Sequence, residues 1–261
     1  MTAQAAPPKL FVSAPHPCPY LPGETATSLL LEPDFPVSAQ LYGTLIKSGF
    51  RRSGSLVYRP HCATCKACVS VRIPVELFRP NRAQRRTLKR NRDLAVRLAP
   101  TRFSAEHFDL YCRYQSWRHP GDLMDHRDPD RYQEFMVEST VETLLFEYRL
   151  EGTLAALSVI DVAADGLSAV YTFFEPDLAP RSLGTHAILH QIEQARAFGL
   201  EWLYLGYWIR NCRKMHYKSS FRPLFGFVRG EWALLRPDAG QNPDHQANGG
   251  EKAEVGRVRE V

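Results

Sequence analysis

Apolar and polar positions alternate differently in two parts of the chain, which meet near residue 100. In the first part, ATSLLLEP and VSVRIPV have the apolar runs of buried strands, and RSGSLVYRP reads as a further strand between them. Ser38 is placed to cap a helix that Gly49 ends. The cation-rich stretch FRPNRAQRRTLKRNRDL closes this part.

The second part has stronger helix and hairpin signals. FSAEHFDLYCRYQSWRH predicts a helix with Ser104 as its cap and Phe103 and Phe108 as a hydrophobic staple, and a second helix is predicted from Asp128-Pro129. Three strands follow, with turns at Glu151-Gly152 and Asp165-Gly166. The remaining predicted elements are the helix SLGTHAILHQIEQARAF, the strand EWLYLGYWI and the hairpin FGFVRGEWALL.

These elements predict an α+β protein with a smaller cysteine-containing N-terminal α+β domain and a larger acyltransferase-like C-terminal domain. The expected divisions are a mobile lead-in over 1–16, the first domain over 17–100, the second over 101–238 and a disordered tail over 239–261. No apolar run is long enough to span a membrane, and the start has no signal-peptide pattern, so we expect a cytoplasmic protein. The net charge of +5 permits a polyanionic partner.

The sharpest local motif is RPHCATCKACVSVR, in which Cys62, Cys65 and Cys68 have the two-residue spacing of metal and iron–sulfur loops. A four-ligand site needs another thiolate, and we expect it from Cys18 in HPCPY. Cys112 and Cys212 are alternatives, although both occupy positions typical of small apolar residues. Spacing alone does not separate zinc from an iron–sulfur cluster, or either from three unligated thiols.

The stretch RPNRAQRRTLKRNRDLAVR predicts a helix with cations on two faces. Like charges on one helix repel by a few tenths of a kcal/mol per pair, and phosphates would relieve that repulsion. The alternative is a solvated surface helix. We therefore predict that this helix binds the backbone of an RNA through Arg82, Arg85, Arg86, Lys89 and Arg90.

PRSLGTHAIL resembles the phosphate-binding turn of GNAT acyltransferases, in which a helix N-terminus holds the pyrophosphate of acyl-CoA. Arg181 and Gly184 match that turn, but His186 replaces its second glycine and would crowd a pyrophosphate. The pattern favours a GNAT-like fold while weakening acyl-CoA as the donor. An acyl-CoA-dependent N-acyltransferase remains the second interpretation, and a metal-containing RNA-binding protein without enzymatic activity is the third.

Tyrosines and lysines gather around the end of the last long strand, in YLGYWIRNCRKMHYKSSFRP. Ligand sites often lie at strand ends, so Tyr207 and Lys218 are candidates for a site. The chain has no GxSxG or Walker motif, and no conventional covalent nucleophile is evident.

Taken together, several stretches resemble the arginyl-tRNA–protein transferase family, and look most like its bacterial branch, the aspartate/glutamate leucyltransferases. They run in order from about residue 18 to 224: CPYLPGETA, YRPHCATCKACVSVRIPV, QRRTLKRNRD, LYCRYQSWRH, AVYTFFEPDLAPRSLGTHAIL and YLGYWIRNCRKMHYKSSFRP. The resemblance implies an N-degron enzyme that moves leucine from leucyl-tRNA to the α-amine of proteins beginning with Asp or Glu, marking them for degradation. The sequence leaves arginine or phenylalanine open as the donated residue.

An aminoacyl ester is already activated, so such an enzyme mainly aligns amine and ester and needs no cofactor for the chemistry. We predict Tyr171 and Tyr207 as proton-relay or oxyanion partners, Glu175 as the base and Lys218 as an anion reader. Arg52 and Arg59 are the candidates for binding the acceptor's carboxylate. Cys18, Cys62, Cys65 and Cys68 are expected to hold zinc or an iron–sulfur cluster that shapes one wall of that pocket.

Overall fold

The computed structural model describes residues 8–33, 35–118 and 127–236. The predicted tail and the first seven residues of the predicted lead-in lie outside these ranges. The strands are β1 (Leu10–Val12), β2 (His16–Pro17), β3 (Thr25–Ala26), β4 (Ser28–Leu31), β5 (Arg51–Ser53), β6 (Leu56–Pro60), β7 (Val69–Pro74), β8 (Leu94–Ala99), β9 (Thr143–Leu150), β10 (Thr153–Ala163), β11 (Gly166–Phe174), β12 (Trp202–Trp208), β13 (Phe225–Val228) and β14 (Glu231–Leu234). The α-helices are α1 (Ala39–Lys47), α2 (Arg82–Arg90), α3 (Ala105–Arg118), α4 (Pro129–Tyr132) and α5 (Leu183–Ala197). A π-helical turn covers Gln133–Val137, and 3-10 turns cover Pro176–Arg181 and Arg213–Ser220.

Local capping and turn chemistry explains several element boundaries. The Ser38 hydroxyl accepts a hydrogen bond from the Leu41 amide at 3.2 Å at the start of α1. The Phe103 and Phe108 rings lie 5.9 Å apart at the start of α3, which confirms the predicted staple. Glu151 and Gly152 both have positive φ, as a two-residue hairpin turn between right-twisted strands requires.

Two sheets organise the chain. The smaller has the order β1-β4-β6-β5, and the larger has the order β14-β13-β7-β12-β11-β10-β9-β8. Strands β7 and β8 lie before residue 100, so both predicted domains contribute to the larger sheet. The coarse α+β prediction is confirmed, whereas the division near residue 100 does not separate two sheets.

Helices cover the larger sheet and bury its core. The side chains of α5 pack with those of β7, β11 and β12 in one apolar cluster, and those of α3 pack with β10 and β11 in another. Helix α1 joins the smaller sheet to the larger one, since Tyr42 and Ile46 are buried in a third cluster with Tyr204 of β12. The smaller sheet is therefore held against the middle of the larger sheet.

Two local predictions were wrong. The lead-in expected to be mobile contains β1, which pairs with β4 from Leu10 to Val12. RSGSLVYRP is a hairpin rather than one strand, because Gly54, at φ 60°, turns the chain between β5 and β6.

The pairing of β11 with β12 is parallel and short. It joins Gly166–Ser168 to Trp202–Tyr204 and does not continue, although both strands extend further. Beyond that point β12 stays paired with β7, with a register shift between Tyr204 and Gly206. We call the diverging ends of the two strands, residues 169–174 and 205–208, the fork.

Candidate active site

Two neighbouring cavities lie between the smaller sheet and β12. The larger, of about 600 Å³, is lined by tyrosines and by the loops that carry the cysteines; the lining includes Cys18, Tyr20, Tyr58, Cys62, Cys65, Cys68 and Tyr207. The smaller, of about 230 Å³, is lined by Arg59, Lys66 and Tyr207, among others. Tyr207 borders both, so the cysteine loop and the end of β12 face one region of the molecule.

The four cysteines predicted to hold a metal share the larger cavity but do not form a coordinating group. Burial, together with the neighbouring thiols of Cys18, Cys65 and Cys62, raises the pKa of the Cys68 thiol to about 12. The described residues contain no group of three or more His, Cys, Asp or Glu side chains placed to hold a metal ion. The thiols as arranged therefore do not fit a single bound ion.

Arg52, predicted to bind the acceptor, is enclosed in an ion pair. Its Nε lies 3.0 and 2.9 Å from the two carboxylate oxygens of Asp161, and its Nη2 donates to Oδ1 at 2.7 Å. Its Nη1 donates to the Gly54 carbonyl at 2.9 Å, and both paired side chains are fully buried. With its donors used in this way, Arg52 ties β5 to β10, and the geometry does not support a role in binding the acceptor.

Arg59 is better placed for such a role. It lines the smaller cavity, where its Nη1 donates to the Ser48 carbonyl at 3.0 Å and its guanidinium lies over the Phe50 ring. The described residues include no carboxylate in an ion pair with it, so part of its charge is available to a ligand.

Tyr207 and Lys218, predicted from the sequence as site residues, are in direct contact. The buried Tyr207 hydroxyl donates to the Gly49 carbonyl at 3.1 Å, and burial raises its pKa. The Lys218 ammonium is buried and donates to the Tyr207 carbonyl at 2.5 Å. Burial, and then the charge of Arg51, lower the pKa of Lys218 to about 7.

Tyr171 and Glu175 occupy the other side of the fork, on and just after β11. The Tyr171 hydroxyl accepts a hydrogen bond from Gln115 Nε2 at 3.1 Å, and burial raises its pKa. Glu175 accepts hydrogen bonds from Arg113 Nε at 3.0 Å and Nη2 at 2.9 Å. Within the described ranges, no hydrogen bond joins this pair of residues to Tyr207 or Lys218.

Arg51 is a site residue that sequence reasoning missed. Its Nη2 donates to the Val170 carbonyl of β11 at 3.3 Å, and its guanidinium lies 5.5 Å from the centre of the Tyr207 ring of β12. It therefore contacts both arms of the fork. Alternation along a strand indicates that Arg51 and Arg52 face opposite ways, but the sequence does not show which of the two is buried.

Helix α2, which the sequence predicts to bind nucleic acid, presents its cations outward. Asn81 and Gln84 form a capping box at its start, with mutual hydrogen bonds of 3.0 and 2.8 Å. The exposed cations of the helix are Arg82, Arg85, Arg86, Lys89 and Arg90. Gln84 and Asn91 are buried and bonded to backbone carbonyls, so neither is free to contact a ligand.

Among the described residues, no helix combines the length and apolarity needed to cross a membrane.

Family descriptions match both parts of the chain: "Arginine-tRNA-protein transferase, N terminus" over residues 16–86 and "Arginine-tRNA-protein transferase, C terminus" over residues 106–227. The chain belongs to the arginine-tRNA-protein transferase family, and it is an aminoacyltransferase.

Individual relatives of the chain share one name, aspartate/glutamate leucyltransferase. The chain is 50% identical over 227 residues to the aspartate/glutamate leucyltransferase of Pseudomonas paraeruginosa, covering 87% of this chain and 97% of the relative. It is 49% identical over 228 residues to that of Nitrosococcus oceani, covering 87% and 95%. Solved structures are more distant. FemX gives a TM-score of 0.45 at 10% identity over 80% of this chain and 81% of its own, and L-PGS from Bacillus licheniformis gives 0.42 at 13% over 55% and 46%.

Proposed function

We propose that this enzyme transfers leucine from leucyl-tRNA to the free α-amine of proteins that begin with Asp or Glu, and so marks them for degradation in the N-degron pathway. The observation that carries this is the 50% identity to aspartate/glutamate leucyltransferases along 97% of the relative's length. The cationic surface of α2 and the fork, with its buried cations, are consistent with an anionic donor and an acidic acceptor.

The reaction exchanges an ester for an amide. The acceptor nitrogen attacks the carbonyl carbon of the leucyl ester, and the carbon–oxygen bond to the tRNA ribose breaks. The attacking amine loses a proton, and the ribose oxygen gains one. An α-amine with a pKa of about 7.7–8.0 is partly neutral near neutral pH, so the protein's main task is alignment.

We place this chemistry in the fork of a GNAT-like sheet, where β11 and β12 part and their backbone groups become available to a substrate. The buried Tyr207 hydroxyl is committed to Gly49, so its role is to line the cavity and hold β12. Tyr171 is our candidate for passing a proton. Glu175 is the candidate base, although it must first leave Arg113. Lys218 acts through its contact with the Tyr207 carbonyl.

We assign helix α2 to binding the acceptor stem of the donor, leucyl-tRNA. Five exposed cations on a capped nine-residue helix match a phosphate backbone. Arg90 donates to the Pro180 carbonyl, and Arg181 forms an ion pair with Asp93, so the helix is tied to the segment between β11 and α5. A tRNA bound on α2 is thereby connected to the segment that leaves the fork.

A transfer assay tests the function. Labelled leucyl-tRNA is offered with peptides that begin with Asp, Glu, Ala or Lys, and arginyl-tRNA and acetyl-CoA are run as alternative donors. We expect label only on the Asp and Glu peptides and only from leucyl-tRNA. Transfer from acetyl-CoA alone would instead assign the enzyme to the acyl-CoA-dependent acyltransferases, and transfer from arginyl-tRNA alone would change the donor.

A further inference from the structure

Arg51 is a part-buried cation whose charge is not balanced by a nearby acid. Among the described residues, no carboxylate lies within ion-pair distance of its guanidinium, and its one hydrogen bond is from Nη2 to the Val170 carbonyl. Two other enclosed arginines of this protein are neutralised. Arg52 pairs with Asp161, and Arg149 pairs with Glu106 and Glu147. A desolvated charge without a counter-ion is costly, so Arg51 differs in its electrostatic surroundings from Arg52 and Arg149.

The surroundings of Arg51 increase the local positive potential. Its charge contributes to the lowered pKa of the buried Lys218, which also has no ion pair in the part of the chain that the structure describes. Tyr207 lies under the guanidinium and supplies no negative charge, because burial raises its pKa. An anion placed at Arg51 would offset the repulsion between these two cations.

The backbone is shaped to make room for the guanidinium. Gly206 lies at the register shift of β12 with a φ of 70°, and a Cβ there would lie 2.8 Å from Arg51 Nη1. Any other residue at this position would be strained and would press on that nitrogen. The bulge in β12 therefore accommodates the Arg51 side chain in the fork.

We propose that the guanidinium of Arg51 binds the side-chain carboxylate of the acceptor's N-terminal Asp or Glu. This proposal rests on the proposed leucyl transfer. A guanidinium matches a planar carboxylate with paired N–H donors. In an N-terminal Asp or Glu only a short aliphatic stem separates that carboxylate from the reacting amine, so anchoring it in the fork also places the amine there. A tRNA phosphate is the less favoured ligand, because the exposed cations of α2 are accessible to an extended backbone and Arg51 is enclosed between two strands.

The test compares acids with their neutral amides. Single-turnover transfer is measured with peptides that differ only in beginning with Asp or Asn, and with Glu or Gln, at saturating leucyl-tRNA. The variants are Arg51→Met, which keeps most of the side-chain volume, and Arg51→Lys, which keeps the charge but loses the paired donors. Arg97→Met, which removes an exposed arginine of β8, is the matched control. Folding of each variant is checked by circular dichroism.

In the wild type we expect Asp and Glu peptides to react at least ~100-fold faster than the amides. Arg51→Met should reduce this preference to below ~5-fold by slowing the acids, Arg51→Lys should be intermediate, and Arg97→Met should match the wild type. The KM for leucyl-tRNA should stay unchanged. Binding of Asp and Asn dipeptides to the wild-type protein, measured by calorimetry, should show the same preference even if Arg51→Met does not fold.

Two outcomes would overturn the assignment of Arg51. One is an unchanged acid preference in folded Arg51→Met, together with active wild-type enzyme. The other is a raised KM for leucyl-tRNA with the acid preference intact, which would make Arg51 a ligand of the donor. Absence of transfer by the wild-type enzyme would reject the proposed function itself, and equal binding of the two dipeptides would reject the carboxylate site separately.

Discussion

Arg51 and Arg52 are neighbours with opposite electrostatic surroundings. Arg52 lies at the centre of a buried network in which Asp161 also accepts hydrogen bonds from Tyr42 and Thr143. Arg51 faces the fork without a carboxylate partner among the described residues. The alternation of side chains along β5 thus separates a structural arginine from one that can bind a ligand.

We expect Arg52→Met to destabilise the protein strongly. Removing one partner of a buried ion pair leaves the other charge uncompensated, at a cost of about 3–5 kcal/mol. The free energy of unfolding, measured in urea, should fall by that amount. Arg97→Met removes only the exposed partner of Glu147, which keeps Arg149 and His107, so it should cost less than about 1 kcal/mol. The acid-over-amide preference of the Arg52 variant should remain. A stable variant that lost this preference would instead make Arg52 the acceptor's partner.

Lys218 should make stability rise with pH. Its pKa is lowered from 10.5 to about 7 in the folded protein. Between these values the unfolded chain binds a proton that the folded chain does not, so the free energy of unfolding increases as pH rises from about 7 toward 10. The gain from this group is at most about 1.4 kcal/mol per pH unit.

The variant for comparison is Lys218→Met, because a methionine side chain does not titrate. Urea unfolding of both proteins between pH 6 and 9 should show the wild type gaining stability relative to the variant above about pH 7. A constant difference between them across this range would show that Lys218 keeps its proton in the folded state.

Helix α2 should contribute to tRNA binding through charge alone. Removing two cations from one face with Arg82→Gln and Arg86→Gln should weaken binding and lower the slope of log affinity against log salt by about 1 per lost phosphate contact. The rate at saturating leucyl-tRNA should be unaffected. The control is Lys9→Gln with Arg102→Gln, two exposed cations elsewhere. An equal effect in the control would indicate a general charge effect and not a binding face.

Elements with strong local signals were predictable, and the arrangement of the site was not. Short-range interactions determine the helix cap at Ser38, the turn at Glu151-Gly152 and the Phe103–Phe108 staple, so the local sequence predicts them. Strand β8 was missed because its first residues were assigned to the cation-rich helix, which ends at Arg90 in the structure. Asp161 determines which of Arg51 and Arg52 is buried in an ion pair and which faces the fork. It is distant in sequence and becomes a neighbour of Arg52 only when β5 packs against β10.

The division of the chain at residue 100 is a division of sequence pattern, because the larger sheet needs strands from both sides. Strand β7 pairs with β12 and with β13, and β8 pairs with β9 at the opposite edge. Cys68 directly precedes β7, whose Val69 pairs with Trp208 of β12, so the end of the cysteine loop lies beside the fork.

A fragment of residues 101–236 should therefore not fold by itself. Without β7, strand β12 becomes an open edge and the β13–β14 hairpin loses its attachment, while β9 becomes exposed at the other side. We expect this fragment to aggregate or to lack a cooperative urea transition in far-UV circular dichroism. A fragment of residues 8–236, which keeps all strands of the described ranges, should unfold cooperatively. Cooperative unfolding of 101–236 alone would mean that α3, α5 and strands β9 to β12 form a sufficient core, and that β7 joins a sheet already formed.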